Sequence, residues 1–384
     1  MADQLPYWRL SAYYLFYFGS LGALVPYWGL FLQSRGFDAL AIGQLMATLT
    51  GTKIVAPLIW GHLSDATGRR MSLVRLATLS TVLVFAAVFV ADGFWAMAAA
   101  MTLFSFFWNA SLPQLEAVTF NHLGLKVVRY AQIRLWGSIG FILVVAGLGL
   151  QLEWASLTVV PVWVAALFLA LWMSTLLIPD SAPARQTGPG PSLRGLLRRV
   201  EVQAFFAACF LMQLSHGVYY AFYSIHLRAA GYSSTAVGVL WSLGVAAEVL
   251  VFLFMHRLLL RFGARVVLLW SLGLASVRWV LIGVFVDLVW VQVLAQTLHA
   301  ATFGTFHAAA IHLVHHYFPG RTQGRGQALY NSLSFGAGGA AGSLMGGLLW
   351  DGPGPRMTFL LAALVALLGL AILWRWVDGE GSRA

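Results

Sequence analysis

The sequence predicts an all-α membrane protein, with twelve transmembrane helices arranged as two pseudo-symmetric six-helix bundles. Three observations predict it. Of 384 residues, 60% are hydrophobic and 9% charged, where a soluble domain carries about 25% charged residues; such a chain cannot cover a water-facing surface. Twelve apolar segments reach the roughly 20 residues that cross a bilayer: 7–33, 39–60, 72–91, 94–118, 130–152, 156–178, 202–227, 235–256, 265–285, 288–314, 324–349 and 356–377. A shift of 195 residues lays Leu32, Gly36, Ala41, Gly43 and Leu45 on Leu227, Gly231, Ala236, Gly238 and Leu240, and Gly68 on Gly263. That shared phase speaks for a duplicated six-helix unit.

The first span starts near Tyr7 without a basic leader or a small-residue cleavage site, so a retained helix is expected and not a signal peptide. Very short turns make neighbouring spans antiparallel hairpins. The longest polar stretch, 179–200, is rich in Pro, Gly and Arg (Pro183, Pro189, Pro191, Arg185, Arg194, Arg198, Arg199). It reads as a linker between a first bundle, 1–178, and a second, 201–384. Of the 23 Lys and Arg residues, Lys53, Arg134 and Arg278 fall in span interiors, Arg35, Arg228 and Arg356 on one set of turns, and the other 17 on the opposite set. This asymmetry orients both termini and the linker toward the cytoplasm of a bacterial inner-membrane protein. It also explains the +10 net charge without a nucleic-acid partner. The sparsely basic turns carry Asp38, Asp92, Glu153, Asp287 and Asp351 instead. The single cysteine, Cys209, excludes an internal disulfide and any cysteine metal cage.

Between the second and third spans lies Gly61-His-Leu-Ser-Asp65-Ala-Thr-Gly68-Arg69-Arg70. It reads as a polar loop in which Gly61 and Gly68 supply turn geometry at two helix ends. Asp65 is expected near a helix N-terminus, where a carboxylate is favoured, and Arg69 and Arg70 in water. The pattern Gly-x-Leu-x-Asp-x-x-Gly-Arg-Arg resembles the signature loop of the major facilitator superfamily of secondary transporters. The resemblance covers the whole chain and implies two parallel halves rocking about a central site. Residues 61–70 would then be a gating loop.

An ionised group at the bilayer centre costs about 3 kcal/mol or more, so each needs a partner or a wet cavity. The candidates are Lys53, Glu116, Arg134, Glu248 and Arg278, read either as ion pairs holding helices in register or as the lining of a polar cavity between the halves. Histidines crowd the tenth span: His299, His307, His312, His315 and His316. The run His312-x-x-His315-His316 looks like one histidine box of a membrane di-iron enzyme, but no second box accompanies it, so no metal site is expected. His299 and His307 face roughly one way, as cavity groups or as hydrogen-bonded packing residues, and His216 poses the same choice. Gly338, Gly342 and Gly346, with Gly339 and Gly347 beside them, form a small-residue packing stripe on the eleventh span. Asn109-Ala-Ser111 matches a glycosylation sequon but lies inside a span. No phosphate-binding Gly-x4-Gly-Lys-Ser/Thr loop occurs, so uphill transport would run on an ion gradient. No cofactor is implied.

Arg129-Tyr-Ala-Gln132-Ile-Arg134-Leu-Trp136-Gly137-Ser138-Ile-Gly140-Phe and Leu298-His299-Ala-Ala-Thr302-Phe303-Gly304-Thr305-Phe306-His307 resemble the phenylpropionate permease group, kin of lactose permease. That resemblance implies a substrate site at Glu116 and Arg134, and a proton-coupling network containing Glu248, Arg278 and His299. One departure matters: the family's proton-carrying glutamate one turn after the histidine is Thr302 here. Glu248 or Glu116 would then have to carry the proton, and Lys53 and His307 join the coupling candidates. The remaining sugar-site groups are loosely echoed by His216, Tyr219, Tyr220, Tyr223, Tyr330 and Asn331. Proton-coupled uptake of a small aromatic carboxylate is therefore expected, without catalysis. Arg134 would clamp the carboxylate, and Trp136, Tyr223 and Phe303 would stack on the ring. The alternatives are a sugar or nucleoside symporter or a drug exporter on the same scaffold, and, in another class, a membrane sensor or metalloenzyme. The expected partners are the substrate, protons and lipid, for a monomeric protein.

Overall fold

The structure, a computed structural model, describes residues 5–124, 126, 129–180 and 193–378. Pro183, Pro189, Pro191 and Arg185 of the expected linker lie outside the described residues. The described chain is helical: α1 Tyr7–Ser34, α2 Ala39–Thr67, α3 Arg70–Phe85, α4 Gly93–Leu123, α5 Tyr130–Gln151, α6 Val159–Leu176, a short α7 Leu193–Leu197, α8 Val200–Ala229, α9 Ser234–Phe252, α10 Met255–Val284, α11 Val289–Thr297, α12 Thr305–Tyr317, α13 Gln323–Tyr330, α14 Gly339–Trp350 and α15 Pro355–Trp376. Wide π-helical turns, Ala300–Gly304 and Asn331–Gly338, join α11 to α12 and α13 to α14. Each of these joined pairs makes one span. Among the described residues nine helices are long and apolar enough to cross a membrane; α4 and the two joined pairs bring the spans to twelve.

Positions 195 residues apart share local conformation. Asp38 caps α2 by accepting from the Ala41 N–H, and Ser233 caps α9 by accepting from the Ala236 N–H. Glycines with positive φ recur in register: Gly36 (φ 85°) with Gly231 (φ 87°), and Gly68 (φ 65°) with Gly263 (φ 76°), the last two differing in ψ, 4° against 157°. Only glycine adopts such angles without a Cβ penalty.

Helix α1 packs on α5 and α6, and α4 on α2 and α3; α8 packs on α14 and α15, and α10 on α12 and α15. The two groups meet through α2 against α14 and α5 against α9. Small residues set these distances, because lipid-embedded helices associate by close van der Waals contact. A Cβ on Gly43 would lie 2.8 Å from the Gly347 Cα, and one on Gly238 would lie 2.7 Å from the Val145 carbonyl. The glycine stripe of α14 packs on α8: a Cβ on Gly342 would lie 2.0 Å from the Leu214 carbonyl.

The segment 61–67 is not a loop. Helix α2 runs through it to Thr67, so Gly61 sits inside a helix and only Gly68 makes the turn, its N–H returning to the Ser64 carbonyl. Asp65 pairs with Arg70 at 2.9 Å, while Arg70 Nε also donates to the Ser64 hydroxyl. Arg70 therefore belongs to a bonded corner instead of standing free in water, with Arg69 between the two helices. The turn with Asp65, Arg69 and Arg70 marks a basic face of the molecule; Asp38, Glu153 and Asp351 mark the opposite, acidic face.

Candidate functional site

Arg134 rises from the first turns of α5, half-buried, with its guanidinium carbon 3.6 Å above the Phe18 ring of α1. Gly137, one turn on, makes this possible: a Cβ there would lie 2.7 Å from Arg134 Nη1 and 2.6 Å from the Phe18 ring. Cation–π contact of this kind steadies a charge without neutralising it. Glu116 of α4 accepts a hydrogen bond of 3.1 Å from Tyr130, which stacks on Phe120. Glu116 and Arg134 interact through space but form no ion pair within 4.0 Å. Around them α1 contributes a stripe of tyrosines: Tyr13 donates to Ser111, Tyr14 to Thr119, and Tyr17 stacks on Trp108. Tyr13 and Tyr14, four and three residues before Tyr17, were available in the sequence as one helical face.

Across the interface, Glu248 of α9 is half-buried, its carboxylate 3.8 Å from His299 Nε2. Gly304 of the wide turn admits it, since a Cβ there would come within 2.9 Å of the Glu248 Cγ. The field of Arg134 reaches Glu248 and His307 as well as Glu116. His299, Phe303 and His307 form a column of near-parallel rings, with centroids 5.2 and 6.4 Å apart. Tyr330 closes one end, its hydroxyl 3.1 Å from His307 Nδ1, and Phe335 meets Phe303, His307 and Tyr330 edge-on. Asn331 is half-buried at the start of the second wide turn. Lys53 of α2 is half-buried and outside every ion pair among the described residues. Its neighbour Ile54 packs on Gly336 of the same wide turn.

Three placements differ from the arrangement the sequence suggests. Arg278, grouped with Glu248 in the expected coupling network, forms no ion pair with it. It is fully buried, donating through Nε to the Ala295 carbonyl (2.8 Å) and through its terminal nitrogens to Thr302 and Gln296 (both 3.3 Å), with its face 4.3 Å from the Tyr219 ring. These bonds brace α11 immediately before its wide turn. Thr302 stands where an acid was expected, so the guanidinium finds neutral oxygens. Trp136 does not share a face with Arg134, because two residues on a helix point nearly opposite ways; its indole donates to Tyr7 and lies against the exposed Trp8. Tyr223 and His216 are sealed in the core: Tyr223 donates to Gln292, and His216 Nδ1 donates to the Met212 carbonyl with its ring edge-on to Trp279. Gln292 and Gln296 were not anticipated. Their sequence signal is two amides four residues apart in an apolar segment, where each buried amide needs a partner.

On the acidic face two bonds join the helix groups. Glu153, at the end of α5, accepts from the Thr235 backbone N–H at the start of α9, at 2.6 Å. Asp351, at the end of α14, accepts from the Ala39 N–H at the start of α2, at 3.4 Å. The hydrogen bond from Thr235 holds the exposed Glu153 carboxyl below its ordinary range.

Half-buried charges meeting between two packed groups of apolar helices define a membrane transporter. Residues 7–361 match the model of the MFS_1 like family, and the chain belongs to that family of major facilitator transporters. It is 32% identical over 382 residues to the Escherichia coli (strain K12) protein named "Probable 3-phenylpropionic acid transporter", covering 96% of this chain and 97% of that one. It is 25% identical over 376 residues to the maltose permease of Geobacillus stearothermophilus, covering 95% and 94%. A solved variant of the nucleoside transporter NupG superposes with a TM-score of 0.85 at 17% identity, covering 97% of this chain and all (100%) of that one. The relatives are transporters and not enzymes.

Proposed function

We propose that this protein takes up a small aromatic carboxylate of the 3-phenylpropionate type together with protons, by alternating access in a bacterial inner membrane. The observation that carries this reading is Arg134: a half-buried arginine at the interface with no carboxylate within 4.0 Å. An arginine at membrane depth without an ion pair calls for an anion, and its planar fork matches a carboxylate. Phe18 on one side and the Phe303 column on the other offer ring faces for an aromatic tail. The printed name of the 32% identical relative supports the same substrate class.

In this reading residues 1–178 and 201–384 are the two rocking bundles, 179–200 is the cytoplasmic linker, and one chain suffices. The basic face is cytoplasmic. The acidic face is drawn together by Glu153 and Asp351, so the state described is closed outward. The test is flux into proteoliposomes under an imposed pH gradient, with 3-phenylpropionate, maltose and a nucleoside as alternatives. Accumulation of the acid alone supports the proposal; accumulation of maltose or the nucleoside alone replaces it with the sugar or nucleoside reading.

A further inference from the structure

A groove of about 240 Å³ opens on the outside of the bundle between α10 and the α11–α12 span, away from the substrate site. Its apolar walls are Leu258, Phe262, Val267, Trp270, Leu274 and Ala301, and the two hydroxyl residues that also line it, Ser271 and Thr305, are bonded to each other. Trp270 stands 68% exposed at its rim, an amphipathic ring of the kind that anchors proteins at a membrane interface. The groove starts at the basic face, where Gly263 breaks α10 into a short segment, 255–262, and a spanning part. On the short segment Arg257 and Arg261 sit one turn apart and exposed. Arg261 lies over the ring of Phe262, itself a groove wall, and Arg257 directly precedes the wall residue Leu258. Neither arginine is in an ion pair among the described residues, and no Asp or Glu occurs between Glu248 and Asp287. Arg265, by contrast, is engaged with the Val377 and Trp374 carbonyls at the end of α15.

We propose that this groove holds an acyl chain of an anionic phospholipid whose phosphate is bound by Arg257 and Arg261. The apolar slot accounts for the chain and the acid-free pair of arginines for the head group. The far wall gives such a lipid a route to the transport machinery. Ala301 belongs to the wide turn, and Thr305, which follows it, is hydrogen-bonded to Ser271 at 2.9 Å. A chain in the groove therefore packs on the outside of the turn whose inside presents His299 and Phe303. The assignment does not depend on the substrate.

The test is native mass spectrometry of the full chain in detergent, with phosphatidylglycerol and phosphatidylcholine of matched acyl chains. Two basic contacts predict a preference of roughly tenfold or more for phosphatidylglycerol. The exposed double variant Arg257→Gln/Arg261→Gln should abolish the preference, and Arg265→Gln should keep it. Leu274→Trp, which fills the slot, should lower retention of both lipids, and free glycerol phosphate should not compete. Equal retention of the two lipids by the unaltered chain overturns the proposal. So does a preference that survives the double variant, or retention that survives Leu274→Trp.

Discussion

Glu153 and Thr235 are joined by a 2.6 Å hydrogen bond from the Thr235 backbone to the Glu153 carboxylate, tying the end of α5 to the start of α9. Asp351 and Ala39 repeat the arrangement between α14 and α2 at 3.4 Å. Each acid lies at a helix N-terminus, where unpaired N–H groups and the helix dipole favour negative charge. Beside the bonds, Gly238 and Gly43 let the same helix pairs touch. Glycine contact brings the acidic face together, and two carboxylates hold it there.

The double variant Glu153→Gln/Asp351→Asn is therefore expected to open the acidic face more often while leaving the fold intact. Cysteines placed on the two sides of that face should react faster with an impermeant thiol reagent. The pH dependence follows from the hydrogen bond from Thr235, which keeps the Glu153 carboxyl below its ordinary 4.5. A depressed value means that the bond is at full strength above the ordinary range and is lost as pH falls through the depressed one. Labelling, taken relative to a permanently exposed reference cysteine so that the falling thiolate fraction cancels, should rise on acidification, and the double variant should show no such rise.

Arg134→Gln should weaken binding of an aromatic acid by roughly 10- to 100-fold, since a hydrogen bond to a charged group contributes about 1.5–3 kcal/mol. Arg134→Lys should recover only part, because it keeps the charge and loses the fork. Ligand-induced thermal stabilisation measures both. Unchanged affinity in Arg134→Gln would remove Arg134 from the substrate site.

The overall fold was legible because lipid imposes a simple code: long apolar runs, basic turns on one face, glycine at the repeated corners. The pairing of Asp65 with Arg70 was less so, because the glycine and polar residues of 61–67 read locally as a turn, whereas α2 continues to Thr67 through tertiary packing that local propensity does not show. Burial depth was the hardest to see. Arg134 and Arg278 look alike in sequence, yet one faces the interface and the other is sealed behind Tyr219. Spacing gives the face of a helix and not what covers it. The amides of Gln292 and Gln296, which receive Tyr223, Tyr219 and Arg278, were not legible because an uncharged amide costs less to bury than an ion, so its presence in a span does not by itself mark a network.

Gly342→Ala should cost about 1–3 kcal/mol of stability, as overpacking of a filled interface does, because its Cβ would lie 2.0 Å from the Leu214 carbonyl. Gly51→Ala is the control, its Cβ meeting nothing nearer than the Ala340 Cβ at 3.9 Å. Thermal unfolding midpoints of the two variants should separate clearly.

Asp65→Asn should slow transport while leaving substrate affinity near its original value. The Asp65–Arg70 pair lies on the basic face and touches none of the site residues. It fixes the corner between α2 and α3, and α2 is one of the helices that cross to the other group. Lost binding with normal conformational exchange would contradict this placement.

Coupling is the last step, and Glu248 is its expected carrier. Its carboxylate is half-buried, 3.8 Å from His299, in the space that Gly304 leaves open, and no guanidinium is bound to it. Arg278 is occupied with Ala295, Thr302 and Gln296, so the cation that acts on Glu248 is Arg134 of the opposite helix group. When two groups rock, a charge pair that spans them changes its separation, whereas one within a group does not. A carboxylate whose cationic neighbour moves changes its proton affinity between the two states, which is the requirement for binding a proton on one side and releasing it on the other. Glu116 is held by Tyr130 and lies on the Arg134 side of the interface, so it is suited to tuning the substrate site. Glu248→Gln is thus expected to abolish accumulation driven by a pH gradient while keeping substrate exchange between equal pools, since exchange needs no net proton release. Both are read in the same proteoliposomes with radiolabelled substrate. If Glu248→Gln still accumulates substrate under an imposed gradient, the proton is carried by Glu116 or by a histidine of the His299–His307 column.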